Sequence, residues 1–401
     1  VERQGKQVRH FESMTGDDTR PLYEQGEAIA YAIGAGVKGR SYLLQRKGLF
    51  FESPITWYTH KKVWDLSPGY SPALHYRFSR RVGDDCLACH AGRVAVEPEA
   101  TVDRYVAERP FLEASIGCER CHGPGSEHVA IYEESSDGTD VTDSRIVNPA
   151  GLLATLQEDV CNQCHLEGKV RVLGPGRRFA DFRPGESLSK TWTVFVGEVP
   201  VDTQQRPLFT SHVEQMHTSH CYLGSRGKLG CTSCHDPHRV PSVRQREAFY
   251  RERCQRCHAD RGCSLPEQQR RKPPAAGSCI ACHMPQVHSS DVAHTIQADH
   301  RVLRQPPKTR AADGLAHETD GRPWRLFGQN RELALSITRR AKGIAWFKQA
   351  VTNHDARLLE TARLRLIEVL EVMAIMDGTV TDSELAMVRA FADALGVKDP
   401  R

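Results

Sequence analysis

Apolar side chains are scarce in this chain. They make up 39% of its 401 residues, aromatic residues only 7%, and the mean hydropathy is −0.50. A chain of this length has room for two or three ordinary domains, but this supply of apolar surface is poor for filling conventional cores. No apolar run approaches the roughly 20 residues that a membrane-spanning helix needs, and no secretory leader is visible at the N-terminus.

Cysteine and histidine, by contrast, are abundant. Cys118 to His122 reads CERCH. C-x-x-C alone suits zinc or a thioredoxin-type dithiol, but an immediate histidine turns the pattern into the attachment motif of a c-type haem. Two thioethers then hold the porphyrin and the histidine ligates iron. The same pattern recurs as CLACH (Cys86, Cys89, His90), CNQCH (Cys161, Cys164, His165), CTSCH (Cys231, Cys234, His235), CQRCH (Cys254, Cys257, His258) and CIACH (Cys279, Cys282, His283). With Cys118, Cys121 and His122 there are six copies, using twelve of the 14 cysteines. A zinc ribbon has no reason to place histidine after every second cysteine, so six covalently bound haem c groups are expected.

Haem resolves the shortage of apolar surface, since each macrocycle is a large apolar plate to pack against. The chain is therefore expected not to fold without it. It also changes the charge. The polypeptide carries +4 formally, with a pI near 8.4, but a haem with two ionised propionates adds about −1 when ferric and about −2 when ferrous. Six would make the holoprotein neutral to acidic, with Arg and Lys neutralising propionates, which gives no support to a nucleic-acid role. Haem attachment to C-x-x-C-H takes place outside the cytoplasmic membrane, so a periplasmic or extracellular location is expected, with a signal removed before Val1. Disulfides persist there. The two cysteines left over, Cys221 and Cys263, are read first as a disulfide and second as two separate buried thiols.

Successive motifs start 32, 43, 70, 23 and 25 residues apart. Residues 1–72 hold none of them. They are rich in aromatic and β-branched residues, with Lys47-Gly48 as a hairpin turn and Ser67–Pro72 (SPGYSP) as a closing turn cluster, and they read as a small antiparallel β element capping the first haem. Residues 73–304 form the haem domain, mainly short helices and irregular chain, with a short strand pair in the 70-residue gap. Residues 305–328 are a proline- and charge-rich linker, and 329–401 an α-helical domain. In that domain Leu358, Leu359, Ala362, Leu366, Val369, Leu370 and Met373 repeat at helix spacing, and Thr381 with Glu384 forms a capping box. An EF-hand reading that places Glu384 twelfth puts Met373 and Ile375 at ligand positions, which excludes it. The DGxVxxxE pattern there resembles tellurite-resistance-type helical domains, but the match is short and a capped helical hairpin is the preferred reading, with the domain read as a docking or assembly element.

Function turns on the second axial ligand. Another histidine closes an iron for electron transfer, whereas a vacancy opens it to substrate. Thirteen histidines lie outside the motifs. His128 follows the turn after His122, and His238 stands three residues past His235. His294 and His300 follow the last motif. His212 and His75 precede the fourth and first. These six are the distal candidates. His217, His220, His288, His60 and His10 are reserves, His317 and His354 are set aside, and Met216 is a minor alternative.

The stretch CERCHGPGSEHV resembles the haem–turn–histidine signature of the tetrahaem cytochrome c electron carriers of ammonia oxidation, within the hydroxylamine oxidoreductase superfamily that also includes pentahaem nitrite reductase. More of the chain, Tyr31 to Arg304, is similar to uncharacterised multihaem cytochromes often fused to tetratricopeptide repeats, through GRSYL, SPITWY, WDLSPGY, VNPAGL, SHVEQM, GCTSCHDPH and AHTIQADHR. The resemblance implies bis-histidine haems in closely stacked pairs, and by motif it covers His122, His128, His235, His238, His294 and His300. The chain departs from the tetrahaem carriers in having six motifs, and its tail is no obvious repeat array. It lacks the C-x-x-C-K motif of pentahaem nitrite reductases, and hydroxylamine oxidoreductases need a tyrosine cross-link that a sequence cannot show.

The leading reading is a hexahaem electron-transfer cytochrome with no catalytic residues, working with redox partner proteins. It would act as a soluble carrier, a module of a larger redox complex, or a self-associating extracellular filament subunit. In a filament, a histidine such as His10 could ligate the next subunit's haem. The rival is a multihaem oxidoreductase with one open haem acting on a small nitrogen or sulfur compound. A scaffold whose haems serve only folding would not need six of them.

Overall fold

Strand-forming residues fill the first eighty positions, and they pair locally. In the computed structural model, which describes residues 1–16, 20–98, 103–134, 145–197, 201, 207, 211–259, 263–272, 276–288, 292–304, 324–328 and 335–353, β1 (Glu2–Gln4), β2 (Gln7–Thr15) and β3 (Pro21–Ala28) form an antiparallel three-stranded sheet. A second sheet contains β4 (Tyr31–Ile33), β5 (Gly39–Arg46), β6 (Leu49–Glu52), β7 (Ile55–Tyr58), β8 (Val63–Leu66) and β9 (Arg81–Val82). Its order is β8-β7-β5-β6-β9, with β4 on β5.

Lys47 and Gly48 do form the β5–β6 turn, both at positive φ (50° and 75°) with Arg46 opposite Leu49. This is the left-handed pair that a two-residue hairpin requires. Strands stop at Leu66, before the SPGYSP turn, and resume at β9, so the sheet runs past residue 72 to the first motif. Leu43, Phe50 and Val82 pack with Leu87 of α1 (Asp84–His90), with Ala91 just past its end and with Tyr105 in one core cluster, against which Cys86 also packs.

The contacts divide the chain into two units. The first comprises Val1–Glu167, Phe179–Leu188 and Glu198–Arg322 and contains all six motifs. Beyond α1 it holds the hairpin β10 (Arg93–Val94) and β11 (Phe111–Glu113), then α2 (Glu119–His122), α3 (Ser126–Glu134) and α4 (Ala154–His165). After these come α5 (His212–Thr218), α6 (His220–Ser225), α7 (Cys231–Cys234), α8 (Arg246–His258), α9 (Glu267–Arg270) and α10 (Cys279–His283).

The second unit comprises Gly168–Arg178, Ser189–Gly197 and Pro323–Arg401. In it β12 (Val170–Leu173) pairs with β13 (Trp192–Val196), the strand pair expected in the 70-residue gap. β13 also pairs with β16 (Arg325–Leu326), inside the stretch read as linker. Helix α11 (Leu335–Asn353) lays Ala341 and Ala345 against Val172 and Phe195. Its Arg340 and Lys348, eight residues apart and so on one face, bond the carbonyls of Leu173 and Arg171. Two stretches counted with the haem domain from sequence thus pack with the C-terminal segment. The reason is the unbroken apolar strand WTVFV, buried at all five positions. The linker over 305–323 and the capped hairpin over 358–396 lie outside the described residues. In the first unit the strands β14 (Gln286–His288) and β15 (Ile296–Ala298) form a last hairpin.

Candidate haem-binding site

Every motif sits on a helix end. In α1, α2, α4, α8 and α10 the motif histidine is the last helical residue, and His235 caps α7. Residues i, i+3 and i+4 share a helix face, so each C-x-x-C-H directs two thiols and an imidazole to one side. That is the donor set of haem c, and zinc would need a different one. Among the described residues no group of three or more His, Cys, Asp or Glu converges on a metal-ion position, whereas structural zinc needs four ligands. The thiols also argue against a redox dithiol, which needs a lowered pKa. Burial pushes Cys86 up to about 12 and Cys254 to about 11. Cys164 and Cys231 are raised too, first by hydrogen bonds to Cys89 and Cys161. Cys161 alone among these is lowered, because Cys231 donates to it.

The ring nitrogens are sorted for ligation. His122 Nδ1 lies 2.8 Å from the Val147 carbonyl, and His283 Nδ1 lies 2.7 Å from that of Leu303. A carbonyl only accepts, so both rings carry their proton on Nδ1 and leave Nε2 bare for a metal. His300 is held in the same way, with Nδ1 2.9 Å from the Ala298 carbonyl while its backbone N–H donates to Gln215 Oε1. These acceptors had no sequence signal, because a backbone carbonyl carries no residue identity.

Imidazoles from distant parts of the chain meet. His122 and His238 lie nearly parallel, centroids 5.9 Å apart, as do His235 and His300 at 6.3 Å. A metal held about 2 Å from each of two ring nitrogens separates the ring centres by roughly 6 Å. His212 stands 5.6 Å from His165 and 4.5 Å from His300, so two motif histidines and two distal candidates form one cluster. Burial lowers the pKa of all four, taking His212 to about 3. The rings stay neutral and keep their lone pairs.

The other distal candidates lie elsewhere. His294 Nε2 is 2.5 Å from Asp65 Oδ2, with its ring edge-on to Tyr58. The nitrogen an iron would use is thus engaged by the N-terminal sheet. His75 accepts from the Arg77 N–H and packs on Tyr70. His128 rests against Tyr132 on α3. Among the reserves, His217 pairs with Glu158 and stacks on Tyr222, while His60, His220 and His288 are exposed. His10 is wholly buried, bonded to Ser53 Oγ and flanked by Tyr42 and Trp64. The expected Cys221–Cys263 disulfide is not formed. Both thiols are free, with Cys221 within electrostatic reach of Cys257 and Cys234, and Cys263 of Cys282. Each faces a haem motif and not the other.

The motifs are also close to one another. Cys89 meets Cys164, Cys161 meets Cys231, and Cys254 meets Cys279, while Cys121 is near Cys161 and Cys234 near Cys257. All six are linked in one connected series.

Such a site is that of a c-type cytochrome with several haems, and comparison with known proteins supports the same class. A family described as the doubled CXXCH motif matches residues 225–262, the stretch with the fourth and fifth motifs. The chain is also 25% identical over 198 residues to the multihaem cytochrome MtrA of Shewanella baltica (strain OS185), covering 46% of this chain and 55% of that protein. The match thus spans about half the length of that relative. No solved structure matches. No helix among the described residues is long and apolar enough to cross a membrane. Together, motif and relative support a multihaem c-type cytochrome with covalently bound haem.

Proposed function

We propose that this chain passes electrons along six haems, one on each C-x-x-C-H helix end, between redox partners on the periplasmic side of a membrane. The observation that carries the reading is the cluster of His165, His212, His235 and His300, with the stacked pair His122 and His238 beside it in kind. The pairs His165–His212, His235–His300 and His122–His238 each join a motif histidine to a non-motif histidine at a separation suited to one metal. His212, His300 and His238 are therefore assigned as distal ligands of the third, fourth and second motifs. Bound haem supplies reversible one-electron chemistry. The protein supplies neutral imidazoles and, at His122, His283 and His300, tautomers fixed through Nδ1–carbonyl bonds. The contacts between cysteines of neighbouring motifs support cofactors anchored side by side. Kinship with the tetrahaem carriers rests on the CERCHGPGSEHV signature and on this paired-histidine arrangement. Self-association into a filament through His10 would require strand β2 to release a buried side chain, so a carrier or a module of a larger complex is favoured.

Electron paramagnetic resonance of the oxidised protein, with and without nitrite or hydroxylamine, tests the reading. Low-spin signals unmoved by either compound are expected. A high-spin signal that shifts with ligand would replace this reading with the oxidoreductase one.

A further inference from the structure

Gln215 belongs to the short, mostly polar helix α5, yet it is wholly buried. Its main chain is tied within its own segment. The Gln215 N–H donates to the Ser211 carbonyl at 3.1 Å, and the Gln215 carbonyl accepts from Thr218 Oγ1 at 2.7 Å. Its side chain leaves the helix. Oε1 accepts the backbone N–H of His300 at 2.9 Å, from 85 residues further along the chain.

That N–H needs an acceptor from elsewhere. Strand β15 ends at Ala298, so His300 lies past the end of the hairpin ladder, and a buried N–H left without a partner is costly. The residues around it are fixed as well. His300 Nδ1 lies 2.9 Å from the Ala298 carbonyl. Asp299, only 1% exposed, pairs with Arg301 at 2.6 Å, and its N–H donates to the Pro285 carbonyl. Those ties stay within the last hairpin and its flanks. The Gln215 bond reaches out of it, to the helix that carries His212. His212 and Gln215 are three residues apart and share one face of α5. The His212 and His300 rings meet edge to face, centroids 4.5 Å apart.

We infer that Gln215 is a positioning residue that ties His300 to the helix of His212 and so holds the His300 ring in place across the fourth iron. The inference rests on the assignment of His300 as that iron's distal ligand. A partner outside the ligand set orients a metal-binding imidazole and tunes the metal through it. The His300 ring lies within 19° of parallel to His235. The mutual angle of two axial imidazoles shapes the g-values of a low-spin haem. Loss of the Gln215 oxygen frees the turn at His300 and lets its ring rotate.

The rival is a Gln215 that only packs α5 against the last hairpin. Electron paramagnetic resonance of the oxidised holoprotein separates the two, after haem per chain has been counted by the pyridine haemochrome assay. His300→Ala is recorded first. It should turn one low-spin haem high-spin, and the component lost marks the haem that His300 ligates. If no component is lost, the ligand assignment fails, which is a different failure from that of Gln215. With full haem load, Gln215→Leu should displace the g-values of that same component and leave the others in place. Gln215→Glu, which restores an acceptor oxygen at the same reach, should return it to the wild-type position. A wild-type spectrum in Gln215→Leu, with only the melting temperature lowered, would overturn the inference. So would an equal displacement in both variants, since the acceptor oxygen would then not matter. If Gln215→Leu does not assemble, Gln215→Asn decides. Its amide is one methylene shorter, so the component should again move, and an unmoved component would refute the tie.

Discussion

His238 and His294 were equal candidates as residues, and the structure separates them. His238 lies parallel to His122, whereas His294 gives its Nε2 to Asp65. Replacing His238 with Ala should therefore turn roughly one haem in six from low to high spin, and His294→Ala should leave the low-spin spectrum unchanged. Electron paramagnetic resonance of the two variants checks both. His10 makes a second prediction. Burial lowers its pKa from the ordinary imidazole value of 6.5 to about 4. The folded state therefore binds fewer protons than the unfolded state between those values, and stability rises with pH across that window. The contribution is complete above about pH 6.5 and is lost as pH falls towards 4, by about 3 kcal/mol from this one group. His10→Phe should flatten that acid-side loss in thermal melts run from pH 7 to 4. Only the surroundings set this behaviour. The sequence around His10 mixes charged, polar and apolar residues, and nothing in it signals a fully buried imidazole.

Elements were more legible. Aromatic and β-branched enrichment with Lys47-Gly48 between located a hairpin, and the structure shows why glycine is needed there. At φ 75°, a Cβ at position 48 would run into the carbonyl oxygen of Tyr105. That carbonyl belongs to a residue whose N–H in turn donates to Gly48 O at 2.8 Å. Gly48→Val should lower stability by about 1–3 kcal/mol through backbone strain and this collision, seen as a lower melting temperature with haem content unchanged. The helical seat of each C-x-x-C-H was also readable, because i, i+3, i+4 geometry is local. Two features were not. Asp103 Oδ1 accepts the N–H of Asp84 at the start of α1, and Tyr105 bonds the Asp84 carboxylate, so the first motif's helix is capped from a separate segment. β13 and β16 pair across more than a hundred residues, a contact with no local signature.

At the scale of the whole molecule, ten of the twelve motif cysteines are half-buried, while His90, His165, His235 and His258 are exposed in the polypeptide alone. Bound haem would cover these groups, which is why the chain is expected to depend on it for folding. Expressed without haem-attachment machinery, the chain should lack a cooperative thermal transition, as circular dichroism with heating would reveal, and a folded soluble apoprotein would contradict this. Local chemistry is what the sequence alone determined: six pentapeptides name their cofactor because thioether attachment and proximal ligation need only residues within one helical turn. The tertiary structure decided everything that depends on distant partners. It chose which histidines meet across an iron's span, which carbonyls fix their tautomers, and why Cys221 and Cys263 face different motifs. Those choices follow from long-range packing, and no spacing along the chain encodes them.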